Sequence, residues 1–340
     1  MQQSALKDRI AALPRVRCAH LPTPLEPMLR LSEELGGPKL WVKRDDCTGL
    51  ATGGNKARKL EFLMGDALEQ GADCLITQGA VQSNHCRQTA AVAARYGLDC
   101  HLLLEQRVPT DDGDYANSGN VLLDHMMGAT TELFAADSDM NAQMDKLADT
   151  LEAKGKKPYI IPGGGSNAIG ATGYANAAVE LLDQCEAMDL RPSHIVHATG
   201  SAGTQAGIVA GVHGAGSTVS VLGIGVRAPQ QKQEQSVYDL ACDTCEHLGV
   251  GAALPREKVV ADCSFVGDGY GLPTPAMLEA LDLVAKLEGI LLDPVYSGKA
   301  MAGLVGSVRA GKFESSSDVV FVHTGGSAAL FGYRWALDNN

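Results

Sequence analysis

Lys56 stands behind two glycines, in Thr52-Gly53-Gly54-Asn55-Lys56-Ala57-Arg58-Lys59-Leu60-Glu61, at the first turn of a helix predicted over residues 55–70. A helix N-terminus and the nearby cations Arg58 and Lys59 both disfavour an added positive charge, which lowers a lysine pKa toward nucleophilic use. The same residues also read as a plain helix entry, with Asn55 as cap and Lys56 in solvent. A second segment, Thr199, Gly200, Ser201, Ala202, Gly203 and Thr204, follows a strand predicted at 195–197 and opens a helix near Gln205. Its glycines allow close backbone approach, and its N–H groups and three hydroxyls converge at a positive helix end, as a phosphate cradle requires. The alternative is a turn for tight strand-to-helix packing. The segment lacks the lysine of a Walker A loop and the spacing of a dinucleotide fingerprint, which disfavours a nucleoside triphosphate or NAD. The third, Gln82-Ser83-Asn84-His85, again heads a helix after a strand. Ser83 caps that helix in either reading, and in one of them the N–H groups, Asn84 and His85 grip a carboxylate.

The elements that must position these residues alternate. Apolar, β-rich runs at 40–43, 74–77, 101–104, 130–134, 159–161, 195–197, 219–226 and 319–323 are separated by helical patterns at 55–70, 84–96, 141–154, 173–185, 235–248 and 275–287. That order implies βαβ units around mostly parallel sheets flanked by helices, an α/β class that is doubly wound. Many of the 39 glycines cluster where strands pass into helices, the carboxyl ends at which ligands bind in this class. A reactive lysine, a phosphate cradle and a carboxylate grip at such ends are what a pyridoxal phosphate enzyme acting on amino acids requires.

Composition narrows the field. At roughly 150 residues per domain, 340 residues suggest two domains, or one with an inserted lobe. With 28 Lys+Arg against 40 Asp+Glu the formal charge is −12, which makes nucleic acid an unsuitable partner. The polar start of the chain does not read as a signal peptide, and no apolar run of about 18 residues suggests a membrane span. A soluble, cytoplasmic protein is expected. Nine scattered cysteines fit reduced thiols, and the Cys242/Cys245 pair with His247 lacks the further ligands of a zinc site, so no metal is expected. The acidic stretch Asp111, Asp112 and Asp114 reads as a solvated loop or one that covers a site.

Motifs then appear in order along nearly the whole chain: Leu21-Pro22-Thr23-Pro24-Leu25-Glu26, Val42-Lys43-Arg44-Asp45-Asp46, Gly53-Gly54-Asn55-Lys56, Arg58-Lys59-Leu60-Glu61-Phe62, Gln82-Ser83-Asn84-His85, Thr199 to Thr204, Asp293-Pro294-Val295-Tyr296-Ser297-Gly298-Lys299-Ala300 and His323-Thr324-Gly325-Gly326. Together they closely resemble the D-cysteine desulfhydrase and 1-aminocyclopropane-1-carboxylate deaminase family of fold type II pyridoxal 5'-phosphate enzymes, whose architecture is that of the tryptophan synthase β chain. The resemblance implies that Lys56 carries the cofactor and that Asn84 lies near its 3′-oxygen. Thr199 to Thr204 form the phosphate loop, with Lys59 an extra cation, and Ser297 and Thr324 complete the cofactor set. Ser83, Asn84, His85 and Gly165 hold the substrate, with Ser83 base-like and Tyr270 and Tyr296 flanking it. It also implies a homodimer, with a small domain at 58–165 inserted into a large one at 1–57 and 166–340.

Two departures bear on the substrate. The deaminase branch carries a glutamate where this chain has Ser297; a neutral hydroxyl leaves the pyridine less positive, which disfavours opening a cyclopropane ring. That branch also tends to show glutamine in place of His85. β-Elimination asks less of the ring, because the leaving group takes the charge. Arg227, at the end of a strand and before the polar segment 229–235, suits a sulfonate through two parallel N–H bonds, or else pairs at the surface with Glu234. This segment is similar to that of the family's L-cysteate sulfo-lyases. The expected reaction is elimination of L-cysteate to pyruvate, sulfite and ammonia, with D-cysteine desulfhydrase as the alternative and the deaminase behind it.

Overall fold

Strands that are apolar at successive positions need cover on both faces, because neighbouring side chains point to opposite sides. The computed structural model, described over residues 3–337, shows this arrangement. Met1 and Gln2 of the polar start, and residues 338–340, lie outside the described residues. The strands are β1 (Leu25–Pro27), β2 (Lys39–Lys43), β3 (Cys74–Ala80), β4 (Asp99–Glu105), β5 (Thr130–Phe134), β6 (Pro158–Ile160), β7 (Pro192–Thr199), β8 (Ser220–Gly225), β9 (Val260–Asp262) and β10 (Asp318–Val322). They form a six-stranded sheet, β1-β2-β10-β7-β8-β9, and a four-stranded sheet, β5-β4-β3-β6. All pairings are parallel except that of the edge strand β1 with β2. In β10, Val320 and Val322 join one core while Val319 and Phe321 join another across the sheet. The smaller sheet repeats the pattern, with Leu102 and Leu104 of β4 on one side and Leu103 on the other.

The α/β class with mostly parallel, helix-flanked sheets is as expected, and the differences in extent have local causes. The helix expected at 235–248 begins at Gln230 and runs to His247, so the polar segment 229–235 is mostly helix. Its residues are good helix formers, linked by side-chain bonds from Gln230 to Glu234 at 3.1 Å and from Gln235 to Asp239 at 2.7 Å. The helix expected at 173–185 extends over Ala168–Ala187, where the side chain of Asn167 accepts the Gly170 N–H at 2.9 Å. The helix Ser297–Arg309, buried almost all round, is not among the expected elements; its three glycines and two serines are weak helix formers. Asp112 and Asp114 are not simply a solvated loop. Asp112 caps a short helix, Gly113–Asn117, and Asp114 pairs with Arg334 at 3.3 Å. Cys245 packs in an apolar core with Leu6 and Ile10.

Close helix packing sets the two halves of the later site side by side. Helix Ala168–Ala187 lies against both Lys56–Glu69 and Gly203–Gly214. A Cβ at Gly173 would come 2.3 Å from the Arg58 carbonyl oxygen, and one at Gly207 would come 2.2 Å from that of Ala171. A buried polar cluster fixes the first of these helices. Arg58 donates to both oxygens of Asp45 at 2.9 and 2.8 Å and to those of Glu180 at 3.0 and 2.8 Å. Lys43 reaches Glu180 at 2.6 Å, and Tyr174 reaches Asp45 at 2.6 Å. The boundary expected after residue 57 falls within the first turn of Lys56–Glu69, a single continuous helix.

Candidate active site

The carboxyl ends of β3 and β7, with the helices that follow them, open onto a cavity of about 350 Å³. Lys56, Ser83, Asn84, His85, Thr199, Gly200, Ser201, Ala202, Thr204, Arg227, Tyr270, Tyr296 and Thr324 all line it. The reading of Lys56 as a solvated residue behind an Asn cap does not hold. Asn55 makes no capping bond; its amide donates to Thr204 Oγ1 at 3.1 Å and its oxygen accepts from Lys56 Nζ at 3.0 Å. Burial lowers the Lys56 pKa to about 8, against the charge of Asp293 and with help from Arg87. Arg58, expected to contribute, is instead committed to Asp45 and Glu180.

The phosphate-cradle reading gains specific support. Ala202 holds φ 71°, a left-handed conformation costly for a residue with a Cβ. Among the described residues, the N–H groups of Ser201, Ala202 and Thr204 have no partner. Lys59 is fully buried behind the loop, its Nζ donating to the Gly164 carbonyl at 3.0 Å with no carboxylate paired to it among the described residues. Burial, and then the charge of Lys56, hold its pKa well below the ordinary lysine value. A buried amine so placed is stabilised by an anion, and the unpartnered N–H groups can hold the same one. A Cβ at Gly203 would lie 2.7 Å from Ser166 Oγ and 2.9 Å from Lys59 Nζ, so a side chain there would displace the Lys59 amine and the Ser166 hydroxyl. These residues fit a phosphate, with a reactive amine within the same cavity for a carbonyl. Lys59, Gly203 and Gly165 stand behind the lining.

In the tetrapeptide Gln82-Ser83-Asn84-His85, Ser83 caps its helix, its Oγ accepting the Cys86 N–H at 3.1 Å, and also faces the cavity. The N–H groups of Asn84 and His85, in the first turn, are outside the helical ladder. Asn84 Oδ1 accepts from Arg87 at 3.2 Å and Asn120 at 3.0 Å, which fixes the amide with Nδ2 as its donor end. Thr77 donates its one hydroxyl proton to the Ile161 carbonyl at 2.8 Å, so His85 Nε2, 2.8 Å from the same oxygen, must donate to it. That tautomer leaves Nδ1 an acceptor, and burial keeps the ring's pKa well below the ordinary value. His85 therefore offers an anion its backbone N–H and not its ring.

Tyr270 and Tyr296 meet edge to face with centroids 5.7 Å apart and hydroxyls 2.8 Å apart. Lys56 Nζ lies 5.8 Å from the Tyr296 ring centroid. Burial raises both phenols above their ordinary pKa, so they are neutral hydrogen-bonding groups. Ser297, expected in the cofactor set, does not line the cavity. It is fully buried off the cavity, its hydroxyl donating to Asp293 Oδ1 at 2.7 Å and accepting the Asp293 N–H at 2.7 Å. The hydroxyl residue that lines the cavity from this side is Thr324.

Arg227 stands exposed at the rim, with no ion pair among the described residues. Glu234, its alternative partner, instead accepts the Ala261 N–H at 3.0 Å and the Gln230 amide at 3.1 Å. Sequence reasoning missed Arg107, Gln78, Ser166 and Asn141, which also line the cavity. Arg107 follows β4 as Arg227 follows β8, and the strand-end rule that singled out one applies equally to the other.

A model for the family described as pyridoxal-phosphate dependent enzyme matches residues 16–325. A crystal structure of an ACC deaminase homologue is similar with a TM-score of 0.90 and 36% identity, covering 98% of this chain and 98% of that one. A lysine-to-alanine variant of O-ureido-L-serine synthase, with O-ureido-L-serine bound, has a TM-score of 0.67 over 96% of this chain and 93% of that one. At 16% identity that likeness concerns the fold alone. Since the matched span contains every residue that lines the cavity, the chain belongs to the pyridoxal-phosphate dependent enzyme family and takes that cofactor.

Proposed function

We propose that this chain catalyses α,β-elimination at Cβ of a sulfur-containing amino acid, L-cysteate, giving pyruvate, sulfite and ammonia. The observation that carries the reading is Arg227, a guanidinium with no ion pair among the described residues, on the same cavity as Lys56. Pyridoxal phosphate bound through Lys56 supplies the electron sink for charge developing at Cα. The N–H groups of Ser201, Ala202 and Thr204, with the Lys59 charge behind them, would hold its phosphate, and Asn84 and Thr324 would hold its ring. The N–H groups of Asn84 and His85, with Ser83, hold the substrate carboxylate.

The Lys56 amine, or the Ser83 hydroxyl, takes the Cα proton. Tyr270 and Tyr296, neutral and bonded to one another, flank the substrate. Arg227 holds the sulfonate while the Cβ–S bond breaks and its electron pair leaves on sulfite. The resulting 2-aminoacrylate takes a proton on carbon and adds water, and ammonia departs to leave pyruvate. The homodimer, the cytoplasmic location and the inserted small domain at 58–165 belong to the same proposal.

Purified, cofactor-loaded protein given L-cysteate, D-cysteine and 1-aminocyclopropane-1-carboxylate in parallel tests the reading. Sulfite and pyruvate from L-cysteate support it. Sulfide from D-cysteine with cysteate inert replaces it with a desulfhydrase, and 2-oxobutyrate from the cyclopropane replaces it with the deaminase that the similarity to an ACC deaminase homologue suggests.

A further inference from the structure

Two guanidiniums reach the cavity, one from each sheet. Arg107 follows β4 of the four-stranded sheet and Arg227 follows β8 of the six-stranded one. They are held differently. Arg107 Nε donates to the Glu105 carboxylate, and Nη2 donates to Gln78 Oε1 at 3.1 Å. Glu105 is itself buried and accepts the Asp137 N–H at 3.1 Å. The Arg107 Cζ lies 5.8 Å from the centroid of the Tyr270 ring. Nη1 has no partner among the described residues, so one edge of the guanidinium is fixed by protein and the other keeps unused donors. Arg227 has neither an ion pair nor a hydrogen bond among the described residues. Arg107 thus contributes direction with its charge largely balanced by Glu105, and Arg227 contributes uncompensated charge. Both line the one cavity together with Tyr296, and Arg107 lies beside Tyr270, whose hydroxyl is 2.8 Å from that of Tyr296.

We propose that Arg107 is a specificity-determining residue that, with Arg227, receives a fixed negative charge on the substrate's Cβ substituent. The inference rests on the reading above and sharpens it, because a thiol or a cyclopropane ring carries no fixed charge in the bound substrate for two guanidiniums to recognise. A tetrahedral sulfonate has three equivalent oxygens, enough to accept from two separate forks at once.

Titrations of the holoenzyme, read by the change in cofactor absorbance on binding, test this without turnover. The probes are aspartate and alanine, each as both enantiomers, which share the amine and carboxylate and differ in the second charge. Wild type is expected to bind aspartate roughly 10- to 100-fold more tightly than alanine, the range of one or two charge-assisted hydrogen bonds. In Arg107→Gln the ratio of aspartate to alanine affinity should fall at least tenfold, and Arg107→Lys should restore part of it. Because Arg107→Gln strands the buried Glu105, the double variant Glu105→Gln/Arg107→Gln gives the same comparison with no uncompensated charge. A preference that survives both variants, or that wild type lacks, overturns the role of Arg107. Sulfite release from L-cysteate is assayed separately. If it is absent while the charge preference is present and depends on Arg107, the sulfo-lyase reading fails and the anion site stands for a different acidic substrate.

Discussion

Lys56 owes its chemistry to enclosure in the cleft more than to its neighbours in sequence. Burial is the largest cause of its lowered pKa, and the cation that assists is Arg87, from the helix Asn84–Tyr96, in place of the adjacent Arg58. A pKa near 8 means the neutral, nucleophilic amine is the minority form at pH 7 and the majority above about 8. Capture of pyridoxal phosphate by the apoprotein is therefore expected to accelerate about tenfold per pH unit below 8 and to level off above it, by stopped-flow absorbance. Lys56→Ala should abolish covalent capture at every pH, and a flat profile in wild type would show that the amine is already neutral. His85 shows the same dependence on surroundings. Its usefulness to an anion is decided by Thr77 and Ile161, which set the tautomer, and no feature of the tetrapeptide contains that information.

At the scale of elements, the site depends on how closely three helices approach. Gly207 presses on the backbone of helix Ala168–Ala187, where the obstacle to a Cβ is a carbonyl oxygen at 2.2 Å that has no rotamer to retreat into. Gly207→Ala is expected to cost about 1–3 kcal/mol in urea denaturation, the usual range for overpacking, and to weaken cofactor binding by moving the phosphate-loop helix. Gly251, where an added Cβ would meet nothing within 4 Å, is the matched control. Gly251→Ala should be neutral within about 0.5 kcal/mol. Equal losses in the two variants would remove the packing argument.

At the scale of the molecule, the Arg58–Asp45–Glu180–Lys43 cluster ties β2 and the Lys56 helix to helix Ala168–Ala187. Burial alone would raise the Asp45 carboxyl, but the charge and hydrogen bonds of Arg58, then Lys43 and Tyr174, outweigh it and hold it below the ordinary value. Glu180 is lowered in the same way. A carboxylate whose pKa is depressed on folding stabilises the protein above its unfolded pKa and loses that contribution as pH falls through the folded value. Asp45→Ala leaves Arg58 buried with one partner fewer and is expected to destabilise by about 3–5 kcal/mol near neutrality, by chemical denaturation. The gap to wild type should narrow below about pH 4, where the unfolded carboxylate begins to take up its proton, and a gap that stays constant into acid would mean the charge is not what matters.

Much of this is legible in the sequence because it is local. Alternation of apolar runs with helical periods yields the α/β class, and helix entries, two of them rich in glycine, mark the lysine, the cradle and the grip without reference to any tertiary contact. Short-range chemistry such as the Ser83 cap is equally readable, since donor and acceptor are three residues apart. Other features depend on residues far apart in the chain. Arg107 enters the site only because β4 and β8 end at the same cavity, and Ser297 leaves it because its hydroxyl is satisfied by Asp293 at the base of its own helix. Residue order alone dictates which side chains are able to do the chemistry and on which kind of element they sit. Packing settles which of them are desolvated, which are already paired and which face one another, because burial and long-range contacts set pKa, tautomer and free valence.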